Sequence, residues 1–129
     1  MELCWIRGEF AVCRLAPDHI PKIRLDREFV FLQKTDQELS MVCRSEESPS
    51  GAEAMEAGWH MFRIEGTLDF SLIGVLASVT RVLERAGISV FVLSTYDTDY
   101  VMVKSEKAAV AEADLRADGW SWKNTWTEA

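Results

Sequence analysis

Residues 87–103 read Gly87-Ile88-Ser89-Val90-Phe91-Val92-Leu93-Ser94-Thr95-Tyr96-Asp97-Thr98-Asp99-Tyr100-Val101-Met102-Val103. The β-branched and aromatic run over 88–93 is apolar on both faces, which predicts a strand buried in the centre of a sheet. Thr95-Tyr96-Asp97-Thr98 supplies turn formers, and Tyr100 to Val103 returns antiparallel. Upstream, Leu72, Leu76, Val79 and Leu83 fall at spacings of 4, 3 and 4 with Ile73 beside them. That stripe predicts an amphipathic helix, with Asp69 or Ser71 as N-cap and Gly87 as the stop. Before it, Trp59 to Glu65 alternates as a strand and ends at Gly66. Downstream, Ser105 caps a predicted helix over 106–117, Gly119 stops it, and Trp120 to Lys123 forms a last short strand. The order β-α-β-β-α-β is the split βαβ, or ferredoxin-like, arrangement.

The first half repeats this order in eroded form. A shift of 60 lays Val42-Cys43-Arg44-Ser45-Glu46 on Met102-Val103-Lys104-Ser105-Glu106 and Thr35 on Thr95, and a shift of 58 lays Ile6-Arg7-Gly8 on Ile64-Glu65-Gly66. Leu3 to Arg14 reads as extended with a turn near Gly8, and 29–32 and 39–43 read as strands. Pro17 and Pro21 leave room for only a short helix around Asp18-His19-Ile20, and 51–57 holds a brief second one. The expected fold is α+β, two ferredoxin-like βαββαβ units in tandem, the first with reduced helices. Their expected spans are 1–58 and 59–129, with the polar, turn-rich stretch Ser45 to Glu53 lying before the junction.

The chain has 129 residues, with 14 Lys and Arg against 21 Asp and Glu, a net charge of −7. So acidic a surface repels phosphate backbones and anionic lipid, which argues against nucleic-acid and membrane partners. No apolar run reaches the roughly 18 residues of a spanning helix, and residues 1–7 lack a basic stretch followed by an apolar one; a cytoplasmic protein is expected. Cys4, Cys13 and Cys43 are odd in number and lack C-x-x-C spacing, so they read as reduced, buried thiols packing as small hydrophobes.

Chemistry-bearing patterns are sparse. Asp97-Thr98-Asp99 runs into Val101 and Met102 and lacks the Gly and distal Glu of a calcium loop, so no metal site is expected. It reads as a turn whose side chains bond local backbone, while Asp99, entering an apolar strand, needs a donor from backbone or from a ligand ammonium. His19 and His60 have no partners at metal-ligand spacing, and Cys43 sits mid-strand. With no nucleophile elbow, P-loop or dinucleotide fingerprint, neither catalytic residues nor a cofactor are expected. Gly66 to Gly74 leads into the first long helix, whose free N–H groups suit a carboxylate. There Gly74 serves either close helix–sheet packing or close approach of a ligand. Trp120 and Trp122 share a face as core or interface packing, and Trp126 lies in a tail with little to hold it.

The segment from Gly87 to Val103, the loop and helix Gly66 to Ala77, and Thr35 to Cys43 together resemble a family of small tandem ACT-domain proteins. The resemblance implies two ACT units, akin to the regulatory domains of aspartate kinases and to the animal cytosolic arginine sensors. It implies an amino-acid ligand held in a groove between ACT units, probed by the loop entering the first helix and by the turn after the central strand. Carried onto this chain, those positions are Ile73 and Gly74, and Ser94, Thr95, Tyr96 and Asp99, with Asp99 holding the ligand's positive end. The expected function is a non-catalytic regulatory or sensor module binding an amino acid, as a homodimer. The alternative is a structural or protein-interaction module that assembles through its sheets without a ligand.

Overall fold

The computed structural model describes residues 1–66 and 73–128. Two compact units form: Glu9–Gly58, and Trp59–Ala129 joined by Met1–Gly8. Residues 1–8 group with the C-terminal unit because their strand is hydrogen-bonded into its sheet.

The strands are β1 (Glu2–Trp5), β2 (Phe10–Leu15), β3 (Phe31–Lys34), β4 (Leu39–Arg44), β5 (Ala54–Ile64), β6 (Phe91–Ser94), β7 (Asp99–Lys104) and β8 (Ser121–Trp122). The helices are α1 (Val75–Arg85) and α2 (Ala108–Ala117). In the C-terminal unit, β5-α1-β6-β7-α2-β8 follows the ferredoxin-like order. Its strands lie in the order β8-β1-β5-β7-β6. Thus β1 is wedged between the first and last strands, antiparallel to β5 through Leu3↔Ile64 and parallel to β8 through Leu3↔Trp122.

This order corrects one expectation. Among the described residues the run after Gly87 is an edge strand paired with β7 alone, and β7 holds the interior position. Ile88 is buried, but it lies before the strand begins, and Val90 and Phe91 remain partly exposed. A run apolar on both faces therefore marks an edge whose second face is half-covered.

Helix limits also shift. Gly74 occupies the N-cap of α1 at φ +82°, a left-handed conformation that glycine adopts without a Cβ penalty. A Cβ built there meets nothing within 4 Å, so backbone conformation rather than close packing calls for glycine. Asp69, Ser71 and Leu72 lie outside the described residues. The second helix opens with a 3₁₀ turn over Ser105–Lys107, and Lys107, not Ser105, is the N-cap of α2. Val79 and Leu83 of α1 and Ala108, Ala111 and Leu115 of α2 pack on Leu3, Trp5, Phe62, Ile64, Val101 and Val103. Each fully buried aliphatic or aromatic side chain of that set contributes about 1.5–3 kcal/mol.

Trp126 is held, against expectation. Its N–H donates to Glu112 Oε1 at 2.8 Å and its ring meets His60 edge-on at 5.8 Å. The same carboxylate oxygen accepts Trp5 Nε1–H at 2.8 Å, while Asn124 exchanges two hydrogen bonds with the Trp5 backbone.

The N-terminal unit carries β3-β4-β2, antiparallel throughout. Its core is Ala11, Cys13, Leu15, Leu39, Met41 and Cys43, covered by Val30, Ala52 and Ala57. It contains no α-helix. The short helix expected near Asp18 is a turn closed by His19 N–H to Ala16 O at 2.9 Å, and the one expected over 51–57 gives way to β5, which begins at Ala54. Proline at 17, 21 and 49 and Gly51 at φ +84° explain both losses.

Candidate functional site

The candidate site lies at one end of the C-terminal unit's sheet. There β5 finishes at Ile64, and the β6–β7 turn is tied to it: Thr98 is buried and its hydroxyl donates to Ile64 O at 2.7 Å. The turn closes on itself through Thr95 N–H to Thr98 O at 2.9 Å and Thr98 N–H to Thr95 Oγ1 at 3.4 Å. These are the local side-chain-to-backbone bonds expected of a Thr- and Asp-rich turn.

Asp99 opens β7 opposite Ser94, whose hydroxyl donates to Asp99 Oδ1 at 2.6 Å. The donor that this carboxylate needs is therefore a neighbouring side chain. Tyr96 stands at the tip of the turn, 80% exposed. Ile73 is 95% exposed, immediately before α1.

Gly74, Ile73, Val75 and Ser78 form one wall of an open hollow of about 350 Å³. Met1, Asp118, Gly119 and Trp120 form the other. The first turn of α1 faces this space, and the first N–H groups of a helix are unpaired within it. The six residues expected to form the site thus fall into two sets. Ile73 and Gly74 line the hollow, whereas Ser94, Thr95, Tyr96 and Asp99 belong to the turn and are not among its walls. The acid lining the hollow is Asp118, at the end of α2. Sequence marked Gly119 and Trp120 as a helix stop and a core strand; nothing local marked Asp118, an exposed acid after an amphipathic stretch.

Electrostatics at this end centre on Glu65. It accepts from Arg63 Nε at 2.7 Å and lies 3.7 Å from Lys123 Nζ. The Arg63 hydrogen bond foremost holds its carboxyl below the ordinary range, against a smaller opposing effect of burial. Among the described residues, no group of three or more His, Cys, Asp or Glu side chains is placed to hold a metal ion, and no helix is long and apolar enough to cross a membrane.

Comparison with known proteins follows the same outline. The profile of the ACT domain matches residues 54–117, and a profile for an N-terminal domain matches residues 8–51. No curated protein matches the sequence. A crystal structure of an Agobacterium tumefaciens protein is 30% identical, with a TM-score of 0.82 over 94% of this chain and 90% of its own. A Vibrio cholerae protein of unknown function is 20% identical, with a TM-score of 0.66 over 90% of this chain and 88% of its own. The ligand-free regulatory subunit of aspartate kinase from Thermus thermophilus shares the fold at 12% identity, with a TM-score of 0.58 over 87% of this chain and 93% of its own. The profile match and the β-α-β-β-α-β order agree: residues 54–117 of the chain are an ACT domain.

Proposed function

We propose that this protein is a non-catalytic regulatory module of the cytoplasm that binds an amino acid and works as a homodimer. The observation carrying the reading is the open hollow of about 350 Å³ against the first turn of α1, where Gly74 turns the chain and leaves the helix N-terminus facing space. Such a helix end attracts a carboxylate. In this reading Ile73 and Gly74 receive the ligand's carboxylate end. Ser94, Thr95, Tyr96 and Asp99, from the second copy's turn where the groove is shared, receive its ammonium. The relative from Thermus thermophilus is itself a regulatory subunit of aspartate kinase, and that role supports the reading by likeness of fold.

Calorimetric titration of the folded protein against the twenty amino acids tests it. At least one is expected to bind, and Asp99→Asn is expected to weaken that binding at least tenfold without moving the thermal midpoint. Silence across the set at millimolar concentration overturns the reading. Light scattering tests the dimer, and a monomer at tens of micromolar removes the shared groove.

One observation favours a second reading, an assembly module without ligand. The Asp99 carboxylate is already bonded by Ser94, and the turn is closed by its own threonines. Under that reading Asp99→Asn lowers the thermal midpoint and no amino acid produces heat.

A further inference from the structure

The N-terminal unit buries two thiols in one place. Cys13 of β2 lies opposite Met41, and Cys43 of β4 lies opposite Ala11, so the two cysteines share one face of adjacent strands on a diagonal. Both are fully buried within the same apolar cluster. The Cys13 thiol lies near enough to raise the Cys43 thiol by its charge. Nothing about the sheet demands sulfur there. In the C-terminal unit the corresponding register pairs are Phe62↔Val101 and His60↔Val103, so Phe62 and Val103 stand where Cys13 and Cys43 stand. The thiol pair is a property of one unit only. Cys4, in the other unit, is the third thiol and has no cysteine beside it in its own strand pair, where it faces Arg63.

Part of the cover over the pair is Ala52, which packs against this cluster from an irregular segment. The irregular segment Ser48 to Glu53, with Pro49 and Gly51, occupies the position held by α2 in the C-terminal unit. An irregular segment opens at lower free energy than a packed helix. While the segment is closed, burial and the neighbouring Cys13 push the Cys43 thiol up to about 11, so it reacts slowly. Opening admits water and oxidant to two thiols held on one face of adjacent strands.

We propose that Cys13 and Cys43 are a site of reversible oxidation, closing to an intramolecular disulfide when a hydroperoxide reaches the N-terminal unit. One thiolate attacks the peroxide O–O bond, giving a sulfenic acid and releasing water or an alcohol. The second thiolate attacks the sulfenic sulfur, the S–S bond forms, the S–O bond breaks, and the oxygen leaves as water. Two thiols and one hydroperoxide thus give one disulfide, one water and one alcohol, or two waters from hydrogen peroxide. Reaching an S–S bond of about 2.05 Å from this diagonal placement takes side-chain rotation and a shear of β2 on β4.

The test is intact mass and thiol titration of the full chain after exposure to hydrogen peroxide. The expected result is a loss of about 2 Da, a fall from three titratable thiols to one, and a peptide linking Cys13 to Cys43, all reversed by dithiothreitol. Sub-denaturing urea, which favours local opening, is expected to speed the reaction several-fold. Cys13→Ala and Cys43→Ala each leave no disulfide within the monomer. Three intact thiols after prolonged exposure, added oxygen without the mass loss, or a dimer linked through Cys4 each overturn the proposal.

Discussion

Residues 31–47 and 91–107 follow the same course. β3 and β6 are both four residues long, β4 and β7 both six, and a 3₁₀ turn of three residues follows each pair, all displaced by 60. Thr35 N–H donates to Glu38 O at 2.9 Å, as Thr95 N–H donates to Thr98 O at 2.9 Å. The last residue of each long strand puts its cation over the aromatic ring opposite: Arg44 over Phe10 at 5.4 Å, Lys104 over Trp59 at 4.7 Å. The units part company outside these stretches. Between β5 and β6 lie 26 residues, between β2 and β3 only 15, and the difference is the 11 residues that α1 contains. Hairpin and turn survive without the helix because their hydrogen bonds are local, whereas a helix needs both length and a face to bury.

The largest effect that sharpens this comparison lies in the two cores. Phe62 and Cys13 occupy corresponding places, but Phe62 packs under both helices and touches Trp5 and Trp122. Phe62→Ala is expected to cost about 3–5 kcal/mol in urea unfolding. Cys13→Ala removes one sulfur from a sheet without a helix and is expected to cost about 1 kcal/mol. Equal losses at the two positions would mean that the units share one level of packing, and the helix would lose its assigned role.

A smaller effect tests what the units have in common. The Thr35 hydroxyl accepts Gln37 and Glu38 N–H, each at 3.1 Å, and the Thr95 hydroxyl accepts Thr98 N–H. Thr35→Ala and Thr95→Ala are expected to cost about 1 kcal/mol each, measured by thermal unfolding. Because both turns are local, the losses should match within about 0.5 kcal/mol. A much larger loss at Thr95 would point to a duty of that turn beyond closing the hairpin.

The C-terminal unit was the more legible in sequence, and the reason is periodicity. Leu76, Val79 and Leu83 repeat along one helical face, and two of them are fully buried where the spacing placed them. The 60-residue shift lays one hairpin on the other, since strand, turn and 3₁₀ residues align one to one. Other features could not be read. That β1 pairs with β5 and β8 is a choice of partner separated by some 60 and 120 residues, and a four-residue strand carries no signal for it. The same is true of Glu112, whose bonds to Trp5 and Trp126 depend on two chain ends meeting at α2. At the candidate site, Gly74 announced its turn, but Asp118 joins it only through the packing of α2 beside α1. The resemblance grouped Asp99 with Gly74 as parts of one groove, whereas the hollow is lined by Gly74 and not by Asp99.

The smallest effect separates the units by charge. Arg63 is the counterpart of Arg14 in strand register, and Glu65 binds Arg63 from two residues on, where the N-terminal unit has Ala16. Only the C-terminal unit therefore has this ion pair to lose in acid. The Glu65 carboxyl titrates below its ordinary value in the folded chain, held there first by the Arg63 hydrogen bond. A lowered folded value means that the unfolded chain binds the proton more readily. The stabilisation is complete above the ordinary value near 4.5 and disappears as the pH falls through the lower, folded one. Glu65→Gln is accordingly expected to be less stable than the parent at pH 7, by no more than about 1 kcal/mol since Arg63 is one-third exposed. The two unfolding curves should converge in acid, once the pH has fallen below the lowered folded value and the parent carboxylate is itself neutralised. A gap that stays constant from pH 7 into that acid range would assign the loss to packing, and the ion pair would no longer distinguish the two halves.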